Sequence, residues 1–182
     1  VHYAGVSCEM DAIMAIANRH KLYVIEDAAQ GMMSKYNGRH LGTIGHIGAY
    51  SFHETKNIHC GEGGALIINN PNFVEYAEII RQKGTNRNQF LKGMVDKYTW
   101  TSLGSSYLLN ELSSAFLLGQ LESLDKQTSF RLQLWNRYND NLKSIKKKFD
   151  FEILHVPDYN RHNAHIFYIK CKSIEVRDKL IK

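Results

Sequence analysis

Long apolar runs are missing from this 182-residue sequence: no stretch is extended and uncharged enough to cross a bilayer, and no charged-then-apolar segment reads as a secretory signal. Cysteine is scarce as well. Cys8, Cys60 and Cys171 are odd in number, widely spaced and free of any Cys-x-x-Cys pair, which excludes a disulfide framework and points to a reducing cytoplasm. Internal repeats and low-complexity segments are absent, and 43% apolar with 23% charged residues is an ordinary globular balance. The net charge of +5 is modest. Its densest basic run, Lys143-Ser-Ile-Lys-Lys-Lys148, lies toward the end of a helical pattern, where lysines complement the helix dipole. No aromatic platform is interleaved with it, so nucleic acid is not expected as a partner. Metal-ligand spacing is lacking too. His40, His46, His53 and His59 form neither a His-x-x-x-His pair nor a zinc-finger pattern and read as loop residues. His165 opens the alternating run Ile166-Phe-Tyr-Ile169, so His162 and His165 read as a strand entrance rather than a ligand pair, and no metal is expected.

What is present is organised around Gly48-Ala-Tyr-Ser-Phe-His-Glu-Thr-Lys56-Asn57, closed by Gly61-Glu-Gly-Gly64. The pattern predicts a buried strand that opens into a polar turn, delivers Lys56, and passes a glycine corner into a second strand over residues 65–69. A lysine just past a strand end, with Ser51 five residues earlier, suits a Schiff-base lysine. Partial burial favours a neutral, nucleophilic amine, and the turn can hold an anionic cofactor. For this residue alone, a solvated surface lysine is the plainer alternative. Upstream, residues 22–26 form a short apolar run followed by Asp27-Ala-Ala-Gln30, which puts a carboxylate where a parallel strand would end. Ligands of open α/β sheets gather at that edge. An aspartate there pairs well with a protonated pyridine nitrogen.

The remaining chain supplies a frame. Ser7 is placed to cap a helix whose stripe is Met10, Ile13, Met14 and Ala17, and residues 32–46 read as a turn-rich excursion. Asn70-Pro71 opens another helix with the stripe Phe73, Tyr76, Ala77 and Ile80. Residues 85–107 are glycine-containing, polar and aromatic without a sustained period, too long for a bland connector. Two helical stretches follow from Asn110 and Asp125, then a strand over residues 165–172 in what reads as the start of a smaller α+β unit. The expected division is 1–108 for part of a large domain, 109–149 for connecting helices and 150–182 for a truncated small domain. The opening at Val1 without methionine and the close at Lys182 within a starting helix read as an internal segment.

Asp27-Ala-Ala-Gln30, Ser51-Phe-His-Glu-Thr-Lys56-Asn57, Gly61-Glu-Gly-Gly64 and Gly84-Thr-Asn-Arg87 together resemble the sugar aminotransferases of the DegT/DnrJ/EryC1/StrS family. The resemblance runs over essentially the whole chain and covers the middle of the family's. It implies an α/β fold of the pyridoxal-phosphate-dependent type I class, with Lys56 carrying pyridoxal 5'-phosphate and Asp27 beside its ring nitrogen. It also implies Gln30 near the phenolic oxygen and Ser51 on the phosphate. In the family, the segment matching residues 85–107 approaches the partner subunit's site, often through glycine-tyrosine-asparagine-tyrosine-arginine. Here Gly104-Ser-Ser-Tyr107 places Ser106 where that asparagine would reach the partner's cofactor phosphate. The implied activity moves an amino group from glutamate to a nucleotide-linked 4-keto-6-deoxy sugar, in a cytoplasmic homodimer or higher homo-oligomer. A non-catalytic binder of cofactor and nucleotide sugar is the alternative from another class. A dehydratase relative carries histidine in place of the lysine, so Lys56 favours transamination.

Overall fold

The computed structural model describes residues 1–149 and 151–182. After a short 3-10 turn, Tyr3–Gly5, helix α1 runs Met10–His20 and buries Met10 and Ala17. Ser7 does not cap it. The helix starts after Glu9, and the Ser7 N–H instead donates to Asn160 Oδ1 at 2.8 Å. Strand β1 is Ile25–Asp27, later than the apolar run suggests, because the Val24 N–H is taken by the His46 ring at 2.9 Å rather than by a neighbouring strand.

Two-residue strands β2 (Lys35–Tyr36) and β3 (Arg39–His40) then form a hairpin. Its loop, Asn37-Gly38, has φ of 46° and 82°, the positive pair that a tight I′ turn demands. Strand β4 (Ile47–Ser51) lies parallel to β1, with Asp27 opposite Ala49, and β5 (Gly64–Ile68) returns antiparallel with Ser51 opposite Gly64. The sheet order is β1-β4-β5. Gly48 allows the preceding loop to cross β4, since a Cβ there would strike the Gly42 backbone.

Asn70 caps the next turn as its sequence suggests, accepting from Asn72 N, and leads into α2 (Val74–Arg81). The aperiodic stretch that follows contains a short helix, α3 (Arg87–Leu91), and folds back on itself. Thr85 bridges to Trp100 and Gln82 to Ser106, while the buried Asn86 side chain accepts from Thr99 N and donates to Lys97 O. Asn110 caps α4 (Glu111–Glu122), and α5 (Leu124–Phe149) is 26 residues, about 39 Å at 1.5 Å per residue. Strand β6 (Phe151–Ile153) pairs with β8 (Ile169–Cys171), β7 (Asn160–Arg161) pairs back onto β2, and α6 is Ile174–Ile181.

The strand predicted over residues 165–172 is therefore shorter. Carbonyls that a strand ladder would use are taken by α5: Arg131 donates to Ala164 O and His165 O at 3.2 Å, and the Trp135 indole to Ile166 O at 3.1 Å. One apolar cluster joins Met10, Ala28, Tyr36 and Leu41. A second joins Phe52, Ile58 and Cys60 to Leu117 and Leu124, which seats the loop after β4 on the α4–α5 corner. No helix among the described residues is long and apolar enough to cross a membrane.

Candidate active site

Parallel pairing of β1 with β4 sends the C-terminal ends of both strands to one edge, and Asp27 and Ser51 are their last residues. Asp27 is exposed there, with Oδ1 accepting from Ala29 N at 3.1 Å. Ser51 is half-buried and its Oγ accepts from His53 N at 3.3 Å, which leaves the hydroxyl proton available to donate. Two residues of loop later the chain turns. The Lys56 N–H donates to His53 O at 2.9 Å, and the loop is closed by Cys60 N to Phe52 O and Phe52 N to Gly63 O. Phe52, Ile58 and Cys60 supply its buried side chains, and Lys56 stands half-buried outside that cluster. Its amine has no hydrogen-bond or ion-pair partner among the described residues.

Gln30 follows Asp27 on the turn after β1. Its Oε1 accepts from Ala4 N at 2.6 Å, which orients the amide and leaves Nε2 to donate elsewhere. Beneath this edge Glu26 is buried. His2 Nε2 donates to it at 2.9 Å, as do the N–H groups of Gly42, Ile44 and Gly45. Burial by itself would raise its carboxyl, but the hydrogen bonds from His2 and the three backbone groups outweigh it and hold Glu26 below the usual carboxylate range.

A second set of groups, not among the expected site residues, holds these turns. Asn163, 1% exposed, donates through Nδ2 to Gln30 O and Met32 O, both at 2.8 Å, and its own carbonyl accepts from Asn57 Nδ2 at 2.9 Å. His165 Nδ1 lies 2.9 Å from Asn57 Oδ1. Burial, with the charges of Lys56 and Arg131 adding to it, pushes His165 down to about 4. Arg131 is itself lowered by burial, and its buried Nε has no partner among the described residues. Residues 163–165 thus brace both the Gln30 turn and the Lys56 loop. Only the unusual density of polar residues in Asn160-Arg-His-Asn163 signalled this, and the alternating run beyond it pointed to a strand instead.

Ser106 is elsewhere in the chain's own frame. It is exposed, bridged to Gln82, and no hydrogen bond among the described residues joins it to Asp27, Gln30, Ser51 or Lys56. Its loop is pressed on α2 through two glycines, because a Cβ on Gly104 would strike Gly84 N and Ile80 O. The flank of this loop is apolar and open, with Trp100 73% and Leu103 90% exposed.

The sequence pattern of the DegT/DnrJ/EryC1/StrS aminotransferase family matches residues 1–182. The chain belongs to this family. It is 32% identical over 173 residues to the Methanocaldococcus jannaschii protein MJ1066, covering 93% of this chain and 43% of that one. Among solved structures, a DegT DnrJ EryC1 StrS aminotransferase from Brucella abortus superposes with a TM-score of 0.82 at 28% identity, covering 96% of this chain and 44% of that one. Helicobacter pylori PseC, an aminotransferase involved in the biosynthesis of pseudoaminic acid, gives 0.83 at 26%, covering 99% and 47%. The chain therefore spans about half the length of the relatives it matches. Its fold is that of the pyridoxal-phosphate-dependent aminotransferases, and the family's cofactor is pyridoxal 5'-phosphate.

The residues at the strand edge fit that cofactor. An unpartnered amine, a carboxylate with one oxygen uncommitted, an amide with its NH2 uncommitted and a hydroxyl with a free proton match an aldehyde, a ring nitrogen, a phenolate and a phosphate.

Proposed function

We infer that the full-length protein is an aminotransferase that moves an amino group from glutamate to a 4-keto-6-deoxy sugar on thymidine diphosphate. The finer reading is the transaminase that makes dTDP-4-amino-4,6-dideoxygalactose for enterobacterial common antigen. That reading rests on the stretches Ser51 to Asn57, Lys83 to Phe90, Val95-Asp-Lys-Tyr-Thr-Trp100 and Gly104-Ser-Ser-Tyr107. The single observation that carries the enzymatic reading is the convergence of Asp27, Ser51 and an unpartnered Lys56 at one end of a parallel strand pair.

Bound pyridoxal phosphate supplies an electron sink for the carbanion that proton removal creates. The chain's own groups do the rest. Lys56 Nζ would hold the cofactor between turnovers, give way to the amino donor, and as a free amine carry the proton away from the donor carbon. The Asp27 carboxylate would keep the ring nitrogen protonated by charge. Gln30 Nε2 would donate to the phenolic oxygen and Ser51 Oγ to the phosphate. Ser106 would reach the phosphate site of a second copy, and the exposed Trp100 and Leu103 support a homodimer through that loop. In this reading 1–108 belongs to the large domain, 109–149 connects, and 150–182 begins the small one. The protein would work in the cytoplasm, consistent with three free cysteines.

Mass spectrometry of the product formed from glutamate and a panel of nucleotide keto sugars tests the proposal. A 4-amino-4,6-dideoxygalactose product on thymidine diphosphate is expected. A dehydrated sugar, or no change in the protein's visible absorbance on adding glutamate, would turn the reading to a dehydratase or to a binder.

A further inference from the structure

His2 is 2% exposed and meets β1 with both its backbone and its ring. The backbone N–H donates to Asp27 O at 2.9 Å, and ring Nε2 lies 2.9 Å from Glu26 Oε2. The other ring nitrogen settles the tautomer. The Cys8 N–H donates to His2 Nδ1 at 3.2 Å, and a nitrogen that accepts carries no proton, so the ring's proton sits on Nε2 and points at Glu26. Glu26 is fully engaged: Oε2 takes His2 and Gly42 N, while Oε1 takes Ile44 N and Gly45 N. Four donors on two oxygens fill a carboxylate's acceptor positions and favour its ionised form.

Burial alternates along β1, with Glu26 inward between the exposed Ile25 and Asp27. Successive strand side chains take opposite faces, so the buried carboxylate anchors the strand from beneath while Asp27 stands above it. The loop that Glu26 holds is tied again by Asn69 Nδ2, which donates to Gly42 O at 3.1 Å and to Gly45 O at 2.8 Å, and it leads into β4. Two residues after His2, the Ala4 N–H donates to Gln30 Oε1 at 2.6 Å. Residues 2–4 thus bear on the Asp27 carbonyl, the Glu26 carboxylate and the Gln30 amide together.

We propose that His2 is a positioning residue for Asp27: its backbone N–H fixes the Asp27 carbonyl, and its ring, with the proton on Nε2, clamps Glu26 on the opposite face of β1, so that the Asp27 carboxylate is aimed before the cofactor's ring nitrogen arrives. This rests on the reading of Asp27 as the group beside that nitrogen. A carboxylate at the end of a three-residue strand has few ladder bonds to hold it, and a group that must meet a ring nitrogen to within about 0.5 Å gains from being fixed in advance. An imidazole suits the place because it accepts at one nitrogen and donates at the other, joining the Cys8 backbone to Glu26 through one rigid ring. A lysine or arginine could donate to Glu26 but would offer the Cys8 N–H no acceptor.

Two measurements on the full-length protein test this. Equilibrium dialysis of the cofactor-free protein compares its affinity for pyridoxal phosphate with that for the 1-deaza analogue, in which carbon replaces the ring nitrogen. The ratio reads the grip of Asp27 on that nitrogen, and a general weakening of the fold or of the phosphate site cancels from it. It should favour pyridoxal phosphate by about tenfold or more in the unsubstituted protein, and Asp27→Ala should collapse it toward one. His2→Asn keeps an acceptor for the Cys8 N–H but is too short to donate to Glu26, and should shrink the ratio by about threefold or more. His2→Gln reaches Glu26 with an amide N–H and should restore most of it. A ratio unchanged in His2→Asn, with both ligands weakened alike, overturns the positioning role and leaves Asp27 assigned. A ratio unmoved by Asp27→Ala instead overturns the Asp27 assignment and this proposal with it. Nitrogen-15 NMR of the unsubstituted, histidine-labelled protein needs no variant to fold. His2 should be the Nε2–H tautomer, and an Nδ1–H tautomer overturns the proposal.

Discussion

Asn163 reaches back 133 residues to donate to the carbonyl of Gln30 at 2.8 Å, and the same nitrogen serves Met32 O. Asn163→Ala would leave the half-buried carbonyls of Gln30 and Met32 without that donor, while the backbone carbonyl that accepts from Asn57 remains. A loss of about 1–3 kcal/mol in unfolding free energy is expected, read from urea denaturation of the full-length protein. Asn163→Asp, which cannot donate, should cost as much. Unchanged midpoints in both would show that the contact is incidental.

Lys56→Ala should abolish turnover and leave the unfolding midpoint nearly in place, since Phe52, Ile58 and Cys60 hold the loop. Borohydride reduction followed by peptide mapping should place the pyridoxyl group on Lys56. Label on another lysine would refute the assignment.

Asp27→Asn should slow the half-reaction with glutamate by roughly a hundredfold or more, about 3 kcal/mol in the barrier, because a neutral amide cannot hold the ring proton by charge. Asp140→Asn is the control. Asp140 lies exposed on α5, and among the described residues its one hydrogen bond is accepted from Asn139 at 3.4 Å. Stopped-flow traces that are alike for the two variants would make Asp27 structural.

Gly104→Ala should damage the 100–107 loop selectively. The added methyl meets backbone of Gly84 and Ile80, and backbone cannot rotate away. A cost of about 1–3 kcal/mol is expected, with faster proteolysis of residues 85–107 as the local readout.

Stability should fall as the solution is acidified, in two stages. His165 resists protonation down to about 4 in the folded chain, whereas an unfolded histidine takes its proton near 6.5. Between those values the unfolded state binds more protons, so stability rises with pH and is lost as pH drops from 6.5 toward 4. Glu26 acts in the same direction further down, its contribution present above the ordinary carboxylate range and lost as pH falls through its lowered value. Urea titrations at a series of pH values check this, and His165→Asn should flatten the upper stage.

The strand edge was legible because its signals are local. A carboxylate after an apolar run and a lysine in a glycine-closed turn need only a few consecutive residues to be seen, and β1, β4 and β5 lie within a residue or three of their predicted places. Asn37-Gly38 carries an equally local hairpin signal, but the glycines around it present the whole segment only as a turn-rich excursion. The brace at 163–165 could not be read the same way. Its partners, Gln30, Asn57 and Arg131, are distant in sequence, and the alternation over residues 166–169 describes side-chain spacing without revealing that α5 has claimed the carbonyls. Ser7 fails for a related reason, its N–H being recruited by Asn160.

Because Asn57 and His165 complete each other across 108 residues, they form a single unit split between two parts of the chain. Anyone grafting the second half of one relative onto the first half of another, to trade one sugar preference for another, would be mixing locks and keys. A chimera joined within α5 should succeed where positions 57, 131, 163 and 165 come from matched parents. Where they do not, it should fail at the lysine loop, far from the splice.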